Sequence, residues 1–234
     1  MTVLLCLKDA YLKECTAKAV EVNGKEVVFD QTVFYPVGGG LVCDSGTIEY
    51  NGKTYNVVEV RKKEGKVIHT LDSEGINTGD ECILRIEWEK RYSLMKMHTA
   101  AHVLGAVMFE SGALITGNRI KPDESRFDFS LDNFDRQKFE EMVAKANEKI
   151  ASGAEVKVYD LPREEAFKIP GVVKLAEALP PNIPVLRIVE IVGIDIQADG
   201  GVHVANTREC GTIETTKLDN KGSKNKRIYF KLST

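Results

Sequence analysis

Two of the chain's four histidines, His98 and His102, stand four residues apart in the stretch Met97-His98-Thr99-Ala100-Ala101-His102. In a helix that spacing puts both side chains on one face, about 40° apart and directed at the same point. Far downstream, Asp199-Gly200-Gly201-Val202-His203 sets a carboxylate and an imidazole on either side of two glycines that let the backbone fold tightly. Three imidazoles and one carboxylate form a donor set that suits Zn²⁺. A helical histidine pair alone reads equally well as two satisfied, partly buried side chains; the third histidine beside Gly-Gly and Asp favours the metal. Zinc proteases with the same pair carry a Glu directly after the first His as general base. Thr99 stands there instead, which disfavours peptide hydrolysis by that route.

The elements that must position these residues have legible patterns. From Trp88 to Phe109 apolar residues recur at helical steps (Leu94, Ala101, Leu104, Met108) beside the row His98, His102 and Gly105. Gly112 to Lys121 reads as a glycine-bounded loop and pocket wall leading to a strand near Arg126–Phe129. A second helix is predicted from about Asn133 to Ser152, with Phe139, Met142, Val143, Ala146 and Ile150 as its core stripe and Gly153 as C-cap. Strands follow at Glu155–Leu161 and Val185–Val192, joined by a Pro- and Glu-rich helical connection. Gly211–Lys217 and Arg227–Leu232 read as a hairpin with a basic, solvated tip. Residues 89–234 are thus expected to form an α+β domain carrying the metal site.

Residues 1–88 read differently, as short antiparallel strands with Asn23-Gly24 and Asn51-Gly52 at hairpin turns and a further hairpin around Arg61–Lys66. Six or so strands without intervening helix close most easily as a small β-barrel, because closure removes exposed edges. Gly38-Gly39-Gly40 is followed by no helical pattern and no Gly-Lys-Ser/Thr, so it is no phosphate loop. It reads as a tight turn that another backbone or an RNA strand could approach closely. His69 lies in a strand-like run without a second ligand and reads as structural.

The pattern His98-x-x-x-His102 with Asp199-x-x-x-His203 resembles the editing site of alanyl-tRNA synthetases, their free-standing AlaX relatives and the threonyl-tRNA synthetase editing domain, whose common pattern is His-x-x-x-His with Cys-x-x-x-His. The resemblance extends through Phe34-Tyr35-Pro36-Val37-Gly38-Gly39-Gly40 with Asp44 and Gly46, and through Leu161-Pro162-Arg163-Glu164-Glu165-Ala166. It covers nearly the whole chain and is closest to the medium-sized AlaX class. Two departures stand out: Asp199 occupies the Cys position, and Leu41 follows the glycines where the family usually has Gln. The resemblance implies a zinc-dependent hydrolase that deacylates mischarged tRNA(Ala), chiefly Ser-tRNA(Ala) and also Gly-tRNA(Ala), with Thr116 sensing the serine hydroxyl. It leaves open whether zinc activates water, polarises the ester carbonyl or holds the substrate's amino group. A tRNA-binding module with a structural zinc, and an unrelated zinc esterase, are the competing readings. The fourth ligand is Asp199, a water or Cys210.

Composition narrows the partners. A net charge of −3 gives no global attraction to nucleic acid, so any grip on tRNA must come from local patches, for which Arg119, Lys121, Lys221, Lys224, Lys226 and Arg227 are the candidates. Five cysteines, an odd number without a Cys-x-x-Cys pair, indicate reduced thiols rather than a disulfide framework. No apolar run approaches the ~20 residues that cross a bilayer, and the N-terminus lacks the features of a signal peptide. A cytoplasmic protein is expected.

Overall fold

The computed structural model describes residues 1–131, 135–172, 183–222 and 225–233. The chain divides into two compact units, Met1–Ser93 and Leu94–Thr234.

In the first unit the strands are β1 (Val3–Leu4), β2 (Glu14–Asn23), β3 (Glu26–Phe29), β4 (Gln31–Thr32), β5 (Gly46–Tyr50), β6 (Lys53–Lys63), β7 (Lys66–Leu71) and β8 (Glu81–Ile86). Six of them close a barrel in the order β2-β3-β7-β6-β5-β8, and all three expected hairpins are present. Alternation along each strand sends Ala17, Ala19, Val27, Phe29, Ile48, Val57 and Leu84 into the barrel core. β1 and β4 add a short parallel pair that the sequence pattern does not suggest.

The glycine-rich stretch is a two-residue turn: Gly38 and Leu41 exchange backbone hydrogen bonds of 3.2 and 2.9 Å around Gly39 and Gly40, at φ +61° and +87°. A Cβ at Gly38 or Gly39 would meet nothing within 4 Å, so at Gly39 the left-handed backbone, and not close approach of another segment of this chain, calls for glycine, while Gly38 is required by neither. Leu41, at the Gln position, is buried. Asp44 fixes the base of the turn by accepting from the Tyr35 amide at 2.6 Å, and its carboxylate pairs with Arg91. Arg91 is fully buried and also donates to the carbonyls of Ala10 (3.0 Å) and Val33 (2.7 Å), so the buried pair is hydrogen-bonded on every side.

The helix α1 (Trp88–Glu110) begins in the first unit and continues in the second. From Leu94 to Met108 it is buried almost all round, and not only along the expected stripe. After it come β9 (Ile115–Arg119), β10 (Ser125–Phe129), α2 (Arg136–Ala151), β11 (Val156–Pro162), the single turn α3 (Arg163–Ala166), β12 (Val185–Ile191), β13 (Asp195–Ala198), β14 (Thr212–Asn220) and β15 (Lys226–Ser233). They form a four-stranded sheet, β14-β15-β10-β9, and a three-stranded one, β11-β12-β13. The expected α+β architecture is therefore present, and α2 buries its five-residue stripe as read, capped by the Asp135 side chain on the Lys138 amide.

Three local expectations are corrected. The segment around Thr116 is strand β9, not a loop, because it pairs with β10. β13 is a separate strand after a turn at 192–194, beyond the Val185–Val192 strand that the pattern predicts. Lys226 is buried rather than part of a solvated tip, its Nζ donating to Gly222 O (2.6 Å) and Asn220 Oδ1 (3.1 Å) to close the β14–β15 turn. Asn133, Lys224 and residues 173–182 of the Pro- and Glu-rich connection lie outside the described residues. Among the described residues no helix is long and apolar enough to cross a membrane.

His69 is structural, as read. It is wholly buried between the edges of Phe29 and Phe34, with Nε2 2.8 Å from Thr32 Oγ1 and Nδ1 3.3 Å from Val27 O. Burial pushes its pKa down to about 4 from 6.5. The unfolded chain therefore takes up a proton over a pH range in which the native barrel does not, so His69 stabilises the fold above about pH 6.5 and this contribution is lost as pH falls toward 4. Between pH 7 and pH 5 the loss is about 2 kcal/mol. Urea unfolding at both pH values checks this: His69→Gln should flatten the pH dependence by that amount, whatever its own offset in stability.

Candidate metal centre

His98 and His102 occupy successive turns of α1, and the segment after β13 brings Asp199 and His203 to the same point. One ligand atom from each of the four residues lies within 4.8 Å of the others. The three imidazole rings pack at centroid distances of 4.2 to 4.7 Å. Gly201 makes this approach sterically feasible, since a Cβ there would lie 2.4 Å from His98 Cε1. Gly200 has no such constraint, with open space where its Cβ would be. Of the Gly-Gly pair, only the second glycine is dictated by the site.

Each ring is oriented through its other nitrogen. The Nδ1 of His98 donates to Val202 O (3.3 Å), that of His102 to the Asp195 carboxylate (3.0 Å), and that of His203 lies 3.1 Å from Thr99 Oγ1. Thr99 in turn accepts from the Val204 amide at 3.3 Å. All three Nε2 atoms are thereby left for the common centre: His203 Nε2 lies 3.2 Å from Asp199 Oδ2, and the Nε2 atoms of His98 and His102 each lie 3.7 Å from Asp199 Oδ1. Asp199 is oriented the same way, its Oδ2 accepting from the Gly201 amide (2.5 Å) and facing Arg187 Nη1 at 3.9 Å, while Arg187 donates to the Asp199 carbonyl (2.9 Å). Fixing a ligand through a hydrogen bond on its far side is characteristic of metal sites.

The electrostatics agree with that use. Burial, followed by the neighbouring His203, keeps the pKa of His98 well below its usual value, and burial pushes His203 down to about 4. Burial opposes the charge on His102 as well, but hydrogen bonds to Asp195 and Asp199 outweigh it and raise the pKa to about 9. Asp199 is pulled well below the carboxylate range because attraction to His98 and hydrogen bonds from His102 and His203 overcome its burial. A buried set of neutral imidazole nitrogens and one carboxylate fits a divalent cation, which would displace the proton from His102.

Cys210, the rival fourth ligand, stands outside this group. It ends the short 3₁₀ turn Thr207–Cys210, and burial pushes its thiol up to about 12. Thr116 is exposed at a bulge of β9, between Ile115 opposite Phe129 and Gly117 opposite Asp128. Arg119, Lys121 and Lys221 are exposed or half-exposed, whereas Arg227 is committed to Asp128 through hydrogen bonds of 2.6 and 2.9 Å. The residues that sequence reasoning missed are the orienting ones: Asp195, Arg187, Thr99 as a partner of His203, and Gln197, which donates to Asp195 at 2.7 Å. The alternation Asp195-Ile196-Gln197 was the available signal, since in a strand it puts both polar side chains on one face.

Comparison with known proteins bears on this geometry. A family model described as tRNA synthetases class II (A) matches residues 4–90, and one described as threonyl and alanyl tRNA synthetase second additional domain matches residues 186–229, which include Asp199 and His203. The alanyl-tRNA editing protein AlaX-M of Saccharolobus solfataricus is 46% identical, over 98% of this chain and 98% of its own. The chain belongs to the AlaX-M alanyl-tRNA editing family. The AlaX-M protein of Methanosarcina barkeri is 44% identical over 99% of both chains. The alanine–tRNA ligase of Thermoplasma acidophilum is 36% identical over 93% of this chain but only 25% of the ligase, so this chain corresponds to one portion of the larger enzyme.

Metal content tests the ligand set directly. Asp199→Cys should retain the metal, Asp199→Ala should lower its affinity by at least the roughly 10- to 100-fold that loss of an outer-shell partner costs, and Cys210→Ser should leave it unchanged. Gly201→Ala, which drives a methyl group into the His98 ring, should also lower occupancy. Elemental analysis and titration against a chromophoric chelator read all four; metal lost from Cys210→Ser but kept by Asp199→Ala would overturn the assignment.

Proposed function

We propose that this chain is a trans-editing hydrolase that cleaves the ester joining a wrong amino acid, chiefly serine and also glycine, to tRNA(Ala), using Zn²⁺ held by His98, His102, His203 and Asp199. The observation that carries this reading is the buried three-imidazole, one-carboxylate group in a chain so similar over its whole length to proteins named for alanyl-tRNA editing. Such an activity is needed because a synthetase pocket sized for alanine rejects glycine and serine only weakly, a small size difference being worth just a few kcal/mol. A cytoplasmic location follows from the same role.

When bound, Zn²⁺ supplies Lewis-acid chemistry, either polarising the ester carbonyl or lowering the pKa of a water. The chain's own residues prepare for it. Asp195, Val202 O and Thr99 hold the three rings in the orientation that turns Nε2 inward, and Arg187 and the Gly201 amide keep Asp199 aimed. Thr116 is proposed to meet the serine hydroxyl, and Arg119, Lys121 and Lys221 to approach tRNA phosphates. Lys226 and Arg227 are left out of that set, because one is buried in its own turn and the other is held by Asp128.

A second reading has one observation in its favour. Four protein donors close a tetrahedral shell, as in structural zinc sites, and a tRNA-binding module would then have no hydrolytic activity. Deacylation of Ser-tRNA(Ala), Ala-tRNA(Ala) and a simple serine ester separates the readings. We expect Ser-tRNA(Ala) to be hydrolysed at least about tenfold faster than Ala-tRNA(Ala), His102→Ala to abolish hydrolysis, and Thr116→Val to narrow the preference by the factor that roughly 1 to 3 kcal/mol represents. Binding of tRNA without any hydrolysis would establish the module instead, and equal rates on the simple ester would indicate a general esterase.

A further inference from the structure

The register of the four-stranded sheet lines up one transverse row of side chains. Lys217 on β14 pairs with Tyr229 on β15, Tyr229 pairs with Arg126 on β10, and Arg126 pairs with Arg119 on β9. Alternation puts these four residues on the face opposite Ile213, Phe127, Ile228 and Phe230, which are buried. α2 covers that apolar side, where Asn147 exchanges hydrogen bonds of 2.8 and 3.0 Å with the Ile213 backbone. The cationic row faces outward, with Lys217 and Arg119 exposed and Arg126 and Tyr229 half-buried.

This arrangement has no evident folding rationale. Like charges directly opposite each other in an antiparallel pair are destabilising, and Arg119 faces Arg126 across β9–β10. Among the described residues Arg126 pairs with Asp128, at 3.9 Å, and that carboxylate is already held by Arg227. Arg126 Nε is buried with no hydrogen-bond partner among the described residues. A cleft of about 200 Å³ opens at this point, lined by Arg119, Lys121, Arg126 and Tyr229 with Asp123 and Glu124. Glu124 is turned to Thr216, from which it accepts at 2.6 Å. Tyr229 has two cations near its ring, Lys217 Nζ at 5.7 Å and Arg227 Cζ at 6.0 Å, which also pair with Asp219 (3.0 Å) and Asp128 (2.6 Å). A row of guanidinium and ammonium groups interleaved with an aromatic ring is the surface chemistry that tracks a nucleic-acid backbone.

We propose that this outer face of the sheet, the row Lys217–Tyr229–Arg126–Arg119 with Lys121 at its edge, binds the phosphodiester backbone of the tRNA. The assignment rests on the editing reading for the identity of the RNA, but not for the chemistry of the contact. Arg126 supplies the central guanidinium: its Nε is buried and without a partner among the described residues, so the exposed remainder of the half-buried group makes the contact. Arg119 and Lys217 extend the row in both directions across the strands, so successive phosphates can be met on one face.

Binding of unacylated tRNA(Ala) transcript, followed by fluorescence anisotropy across a salt series, tests the assignment without using hydrolysis. The double variant Arg119→Gln/Arg126→Gln should bind at least about tenfold more weakly, with the slope of log K against log salt reduced by about 1 to 2. Lys138→Gln/Lys145→Gln, the same change of charge on the exposed side of α2, should keep the wild-type slope. Thermal unfolding adds a readout that separates a structural role: removing the like-charge pair should leave stability unchanged or raised. Unchanged affinity and slope in the Arg119/Arg126 variant, or an equal loss in the α2 variant, would overturn the proposal. Should wild-type protein hydrolyse no aminoacyl-tRNA while the Arg119/Arg126 variant still loses tRNA affinity, the editing reading fails and this surface stands.

Discussion

Three imidazoles and one carboxylate converge on one buried point in the second unit, and burying them is costly unless their other polar atoms are satisfied. Much of that unit can be understood as meeting this condition. Val202 O, Asp195 and Thr99 take the far nitrogens of the three rings, and the Gly201 amide and Arg187 hold the carboxylate and its residue. The partners come from α1, from β12 and β13, and from the segment after β13, so the site ties together elements distant in sequence. α1 can be buried nearly all round despite its two histidines because those histidines have a destination.

The first unit solves a similar problem with ions. Arg91 and Asp44 are both buried, and removing two charges from water is compensated only where geometry and further hydrogen bonds are complete. Here the guanidinium reaches Asp44 and two carbonyls, and the carboxylate also accepts from the Tyr35 amide. The pair therefore fixes the base of the glycine-rich turn against the start of α1. Leu41 fits the same picture: it is a buried apolar side chain at the end of an exposed turn, not a polar group offered to solvent.

The outer face of the four-stranded sheet is the counter-case, where satisfaction is incomplete. Arg227 finds Asp128, but Arg126 has no partner on Nε among the described residues and faces Arg119. A chain with a net charge of −3 can still present such a face, because attraction to an anion depends on local potential more than on total charge.

The sequence alone determined the features that are periodic or local. The hairpins at Asn23-Gly24 and Asn51-Gly52 follow from turn residues whose backbone preference needs no distant partner, and barrel closure follows from strands without helices between them. The spacing of His98 and His102 determined that both rings lie on one face of α1, and the order of Asp199, Gly201 and His203 marked the other half of the site. Tertiary structure decided what those residues could not encode by themselves. Asp199 rather than Cys210 joins the group because the chain returns beside α1 at Gly201, where only a missing Cβ admits the His98 ring. Asp195 and Arg187 were illegible as site residues because they act through His102 and Asp199 across strand pairings absent from any local pattern. Lys226 and Arg227, adjacent and alike in charge, part company on alternate faces of β15, and only the register across that strand assigns one to the turn and the other to Asp128.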